Sequence, residues 1–95
     1  MNSYLIAYDV DTTTDIPKSP SKVYSDVKEI IDSYPAHGQL TESCWLIHSD
    51  ATHVAVRDTI KKVMRPSDRL LVVKSASVAA WHNLKSENKW VKDNI

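Results

Sequence analysis

Tyr4-Leu5-Ile6-Ala7-Tyr8-Asp9-Val10-Asp11 is the stretch on which the fold turns. Its first five residues are apolar or aromatic, which reads as a strand buried on both faces and therefore central in a sheet. Asp9 falls where buried strand gives way to exposed loop, and Asp11 and Asp15 follow in that loop. A carboxylate at the end of a central strand makes this the first place to look for chemistry.

Beyond it, Pro17 and Pro20 exclude a regular element from the polar segment. Ser19 reads as an N-cap with Pro20 at the first helical position, where a missing N–H is harmless. Val23, Val27, Ile30, Ile31 and Tyr34 then form one apolar stripe, which predicts a helix to about Tyr34, closed by Pro35 and Gly38. Gln39-Leu40-Thr41-Glu42 alternates weakly and suits a strand nearer an edge. The apolar run Cys44-Trp45-Leu46-Ile47-His48 suits a central one. No Asn-Gly signal divides them, so a bend or bulge is expected at Ser43. Ser49-Asp50 supplies an N-cap for a second helix from Ala51 to about Met64, with Val56, Ile60, Val63 and Met64 inward. Arg69 opens a third buried strand, Leu70-Leu71-Val72-Val73-Lys74. Residues 76–84 are expected to form one or two helical turns on the sheet edge. Lys85 to Ile95 is a polar tail, expected to fray or to add a strand to another subunit.

Two helices alternating with four strands in this order predict an α+β, ferredoxin-like βαββαβ domain over residues 1–84, with an antiparallel four-stranded sheet and both helices on one face. The first and third strands, the most apolar, fall in the centre. The open face of such a sheet has to be covered or polar, and a homodimer is the expected cover. Residues 85–95 are a C-terminal tail, available to that interface or to a protein partner.

Composition sets the class. The chain has 95 residues, enough for one modest core. No apolar run approaches the ~20 residues of a membrane helix, so no membrane partner is expected. The start lacks a secretion pattern, and the single Cys44 cannot form an internal disulfide, which makes a cytoplasmic location the expectation. Net charge is zero but unevenly placed. Residues 1–50 carry eight acids against three lysines and residues 51–95 nine basic residues against four acids, about −5 and +5. Such a split suits a cation at one place and a phosphate backbone at another, or simply two halves that attract each other.

Taken together, Tyr4 to Val10, Ser43-Cys-Trp-Leu-Ile with Asp50 beyond, Asp68-Arg-Leu-Leu-Val-Val and Ala79-Ala-Trp81 resemble the SinR-like small proteins. These are similar to the CRISPR-associated protein two family, dimeric ferredoxin-like subunits of the spacer-integration complex, and more distantly to the VapD ribonucleases. The resemblance spans roughly residues 3–84. It implies that Asp9 lies at a dimer interface opposite its counterpart, the pair holding Mg²⁺ or Mn²⁺ for cleavage of RNA or DNA, and that Ser43 matches a serine before the third strand. Other members of that family are non-catalytic scaffolds that bind DNA. The chain also departs from the family pattern: in place of arginines soon after the aspartate it has only Lys18 and Lys22, beyond a proline-containing excursion.

The individual residues keep plainer readings beside these. Asp9 is the catalytic candidate and Asp9 with Asp11 the metal candidates, Asp11 or Asp15 adding an outer-shell contact; aspartates at strand ends also simply cap loops. Arg57, Lys61, Lys62, Arg65 and Arg69 suit a sequence-blind nucleic-acid patch, with 57, 61 and 65 on one helix face, as they suit a solvated helix surface. Asp58 and Lys62 are spaced for an i, i+4 pair, which supports the latter. The four histidines and lone Cys44 show no zinc spacing. Trp45 and Trp81 suit packing, while Trp90 is open between packing and base stacking. From another class, a non-catalytic module that binds a protein partner through residues 85–95 uses the same features, as does a phage-type or toxin-type regulator.

Overall fold

The computed structural model describes residues 1–95. In chain order the elements are β1 (Asn2–Asp9), α1 (Pro20–Asp32), β2 (Ala36–Thr41), β3 (Cys44–Ser49), α2 (His53–Lys61), β4 (Arg69–Lys74) and α3 (Asn88–Asn94). The strands lie in the order β2-β3-β1-β4 and every neighbouring pair is antiparallel. The fold is thus α+β with a ferredoxin-like sheet, and β1 and β3 are central as the sequence predicts. No helix is long and apolar enough to cross a membrane.

The main core explains why β1 organises the domain. Tyr4, Ile6 and Tyr8 project from one face of it and are buried against Val23, Val27 and Ile31 of α1 and Val56 and Ile60 of α2, with Trp45 and Ile47 from β3 beside them. Side chains alternate across a strand, so Leu5, Ala7 and Asp9 share the opposite face. An alternation exists in β1 that the continuous apolar run conceals, because both of its faces carry apolar residues.

Local chemistry sets the ends of the elements. The Ser19 hydroxyl accepts the Lys22 N–H at 3.3 Å and Pro20 opens α1, as expected. α2 is shorter than its apolar pattern suggests. Its cap is Thr52, which accepts the Ala55 N–H at 3.1 Å, while Ser49 accepts the Ala51 N–H at 3.0 Å and shapes the turn before it. Between β2 and β3, Thr41 pairs with Cys44 across a two-residue Glu42-Ser43 turn, and the register shifts between Gln39 and Thr41. The irregularity expected at Ser43 therefore sits slightly earlier, at Leu40.

The C-terminal fifth departs from expectation. Residues 76–84 contain no helix; the chain crosses the open face irregularly, with Ser77 and Asn83 at positive φ of 62° and 53°. Residues 85–95 neither fray nor extend as a strand, since Asn88–Asn94 forms α3. Val91 is fully buried with Leu40 and Leu46 in a second, smaller core, and Leu5, Cys44, Trp81, Leu84, Trp90 and Ile95 pack around it. Trp81 and Leu84 join this core from across the expected 84/85 boundary. The cover is partial: Leu71 and Val73 of β4, at 59% and 43% exposure, stay open to solvent.

The two faces of the sheet should therefore respond differently to substitution. Ile6→Ala is expected to lower the unfolding free energy by about 2–5 kcal/mol, and Leu71→Ser by less than about 0.5 kcal/mol, both read from urea denaturation of dilute protein. A comparable loss at Leu71 would mean that its face is packed.

Candidate functional site

The carboxyl-bearing loop is held by a buried ion pair. Beyond α2, Val63 and Met64 donate their N–H groups to the carbonyls of Ile60 and Lys61, a tight last turn that brings Arg65 inward. The Arg65 and Asp68 side chains are 1% and 0% exposed. Arg65 Nη2 donates to Asp68 Oδ1 at 3.0 Å, Nε to Oδ2 at 3.2 Å, and its backbone N–H to Oδ2 at 2.8 Å. The rest of the guanidinium is directed at the loop. Nη2 donates to the Asp11 carbonyl and Nη1 to the carbonyls of Thr14 and Lys18. Asp68 Oδ1 in turn accepts the Asp11 N–H at 2.9 Å. Burial pushes the Asp68 carboxyl upward, but its bonds to the Arg65 guanidinium and to the Arg65 and Asp11 N–H groups outweigh that and hold it below the usual range.

Asp11 serves the same loop. Its Oδ1 accepts the Thr13 hydroxyl at 2.6 Å and the Thr13 N–H at 2.8 Å, a local turn closed by a side chain. Those two bonds, with help from Ser67, lower its pKa from 3.8 to about 2. Asp9 is different. It is exposed at the end of β1, level with Arg69 on β4, and no hydrogen bond or ion pair of the chain engages its carboxylate. It lines an open groove of about 510 Å³ with Asp11, Ser67 and Arg69. Asp15 is exposed farther along the loop.

Asp9 and Asp11 thus border one groove. No group of three or more His, Cys, Asp or Glu residues in a protomer is placed to hold an ion. The histidines stay apart: His37 faces Asp32 at 3.6 Å, and His48 Nε2 lies 2.7 Å from the Asn94 carbonyl. Cys44 is half-buried, and burial raises its thiol pKa.

The basic residues separate into two groups. Arg65, expected on an outer helix face with Arg57 and Lys61, is internal, since α2 ends at Lys61 and the following turn carries its side chain to Asp68. Arg57, Lys61, Lys62 and Arg69 remain exposed. Arg57 donates to Asp58 Oδ1 through Nε at 2.9 Å and Nη2 at 2.8 Å, so the partner of Asp58 is Arg57 and not Lys62. Arg57 and Lys61 border an open groove of about 550 Å³ whose far wall includes Leu70, one residue from Arg69. Arg69 opens β4 level with Asp9 and shares its sheet face, whereas Arg57 and Lys61 belong to α2, which packs on the opposite face.

No protein-family model matches the chain, and no curated protein matches it significantly. The site is accordingly judged on its residues. The Arg65–Asp68 clamp was the feature that pattern reading missed. Its one signal was the Arg-Pro-Ser-Asp spacing, with a proline turn that places residues 65 and 68 together.

Two outcomes follow for stability. Asp68→Ala, which strands a buried guanidinium, is expected to destabilise by about 3–5 kcal/mol, against at most about 1 kcal/mol for the exposed partner in Asp58→Ala, measured by urea denaturation. Asp11 has a lower pKa folded than unfolded, so its contribution is full above about pH 4 and is lost as pH falls toward about 2. Asp11→Asn should reduce the acid sensitivity of the thermal midpoint within that window and leave its slope near neutral pH unchanged.

Proposed function

We propose that the chain is a homodimeric nucleic-acid-binding protein of the type it resembles, the CRISPR-associated protein two family. In this reading it is a divalent-metal-dependent endonuclease whose site is completed by Asp9 from each of two copies. The observation that carries the reading is the free, exposed carboxylate of Asp9 on the same sheet face as the exposed Leu71 and Val73. A second copy packed on that apolar strip about a two-fold axis near the Asp9 end would set the two carboxylates against one another. No group of three or more ligating side chains exists in one protomer, and a pair of Asp9 carboxylates suits Mg²⁺ or Mn²⁺, which take oxygen ligands and retain waters. When bound, such an ion polarises a phosphoryl oxygen and lowers the pKa of attached water.

The remaining roles fall to residues of the chain itself. Lys61, Lys62 and Arg69 carry no ion pair and are the main phosphate contacts, with Arg57 at the groove border beside them. Phosphate contacts orient a strand without reading its sequence, so substrates are chosen by shape and not by base identity. Asp11 positions the loop through its Oδ1, which is engaged by Thr13, and its other carboxylate oxygen would face the ion as a secondary ligand or through a water.

Incubation with labelled RNA and DNA in Mn²⁺ tests both halves of the reading. Cleavage is expected to disappear in Asp9→Asn while binding is kept, and cleavage that survives this substitution would remove Asp9 from the chemistry. Each of Lys61→Ala and Arg69→Ala should weaken binding on all sequences and reduce the salt slope of log K by roughly 1. Binding without cleavage in the unmodified protein would favour the scaffold form of the same fold.

A further inference from the structure

Residues 81–95 are joined to the domain in an unusual way. They contribute nothing to the eleven-residue main core, and the second core that they build contains only three buried residues, Leu40, Leu46 and Val91. The chain reaches them through an irregular segment after Lys74, and the N-cap residue of α3, Glu87, makes no side-chain cap hydrogen bond. Their fastenings are few and gathered at two points. At the β2 edge, Lys85 donates its N–H to the Leu40 carbonyl at 3.0 Å and its exposed Nζ pairs with Glu42 Oε1 at 2.8 Å, and the Ser86 hydroxyl donates to the Gln39 carbonyl at 2.7 Å. At the other end, the Asn94 carbonyl is met by the Ser3 hydroxyl at 2.6 Å and His48 at 2.7 Å, and the Ser75 hydroxyl donates to the Ile95 carbonyl at 2.6 Å.

Between these points, the indole of Trp90 lies on Gly38, the only glycine in the chain. A Cβ at position 38 would stand 2.5 Å from Trp90 Cη2 and Cζ3, closer than packed atoms allow. Gly38 does not have a positive φ, so what it provides is room for the ring and not a special backbone conformation.

We propose that residues 81–95 are a strap that opens as one unit while the four strands, α1 and α2 stay folded, with Trp90 on Gly38 as its catch. Local stability follows buried apolar contact, and a segment held by one small core and two sets of end bonds opens well below the free energy of global unfolding. Closed, the strap covers Leu5, Leu40, Cys44 and Leu46 and leaves Asp9, Leu71 and Val73 open. Opened, it joins those two halves into one apolar face. The strap therefore decides how much of the sheet is available, whatever the domain binds.

Hydrogen exchange on the full chain, read by peptide mass spectrometry at neutral pH, tests this. In the unmodified protein the amides of Lys85, Val91 and Ile95 are expected to exchange together and well ahead of those in β1 and β3. Gly38→Val and Trp90→Ala should each speed exchange in residues 81–95 by roughly tenfold or more, with β1 protection nearly unchanged. Val56→Ala, which weakens the main core, should instead speed exchange in β1 and leave the strap rate as it was. Protection of residues 81–95 that equals that of β1 in the unmodified protein would overturn the proposal, as would strap exchange that follows global stability across the three variants.

Discussion

The helices of this domain pack on one face of the sheet, and the fold depends on what is done with the other. β1 runs through the centre with Tyr4, Ile6 and Tyr8 turned to the helices and Leu5, Ala7 and Asp9 turned away. The main core fixes the first set and so forces the second into a face that no helix of the βαββαβ unit reaches. Contiguous apolar side chains on an open sheet face are uncommon without some cover or partner. Part of that face is closed by Trp81, Leu84, Trp90, Val91 and Ile95, and part is left open beside Asp9.

At the open end the Arg65–Asp68 pair determines which carboxylate is free. It binds the backbone of Asp11, Thr14 and Lys18 and so fixes the loop that leaves β1. A buried ion pair contributes little net stability against a hydrophobic replacement, but its directional bonds specify a single loop conformation. With the loop fixed, Asp11 turns onto Thr13 and Asp9 remains unengaged at the end of the strand. The reading of Asp9 as half of a site shared by two copies rests on this division between an occupied and a free aspartate.

The parts of this arrangement that were legible in the sequence are those written in local chemistry. The Ser19-Pro20 cap, the stripe from Val23 to Ile31 and the apolar strands announce themselves by spacing, and they were enough to order the sheet. Arg65 misled because its i, i+4 spacing from Lys61 continues a helix pattern that the chain abandons after residue 61. The C-terminal cover was missed because its apolar residues are scattered among polar ones, and the i, i+3 pair Trp81 and Leu84 falls in a segment with no helix while Val91 and Ile95 carry too short a stripe to stand out. Its partner, Gly38, carries no local sign that a ring from 52 positions later lies on it. Whether Asp9 meets another Asp9 is not written locally at all, since it depends on how two copies of one face fit.

The claim at the centre of this account is that the cation site exists only between two chains. Calorimetric titration of the purified protein with Mn²⁺, beside its mass by light scattering, addresses it directly. The account predicts a dimer that takes up one Mn²⁺ per two chains, with uptake abolished and dimerisation kept in Asp9→Asn. One ion per chain, or a dimer whose uptake is untouched by that substitution, would contradict it.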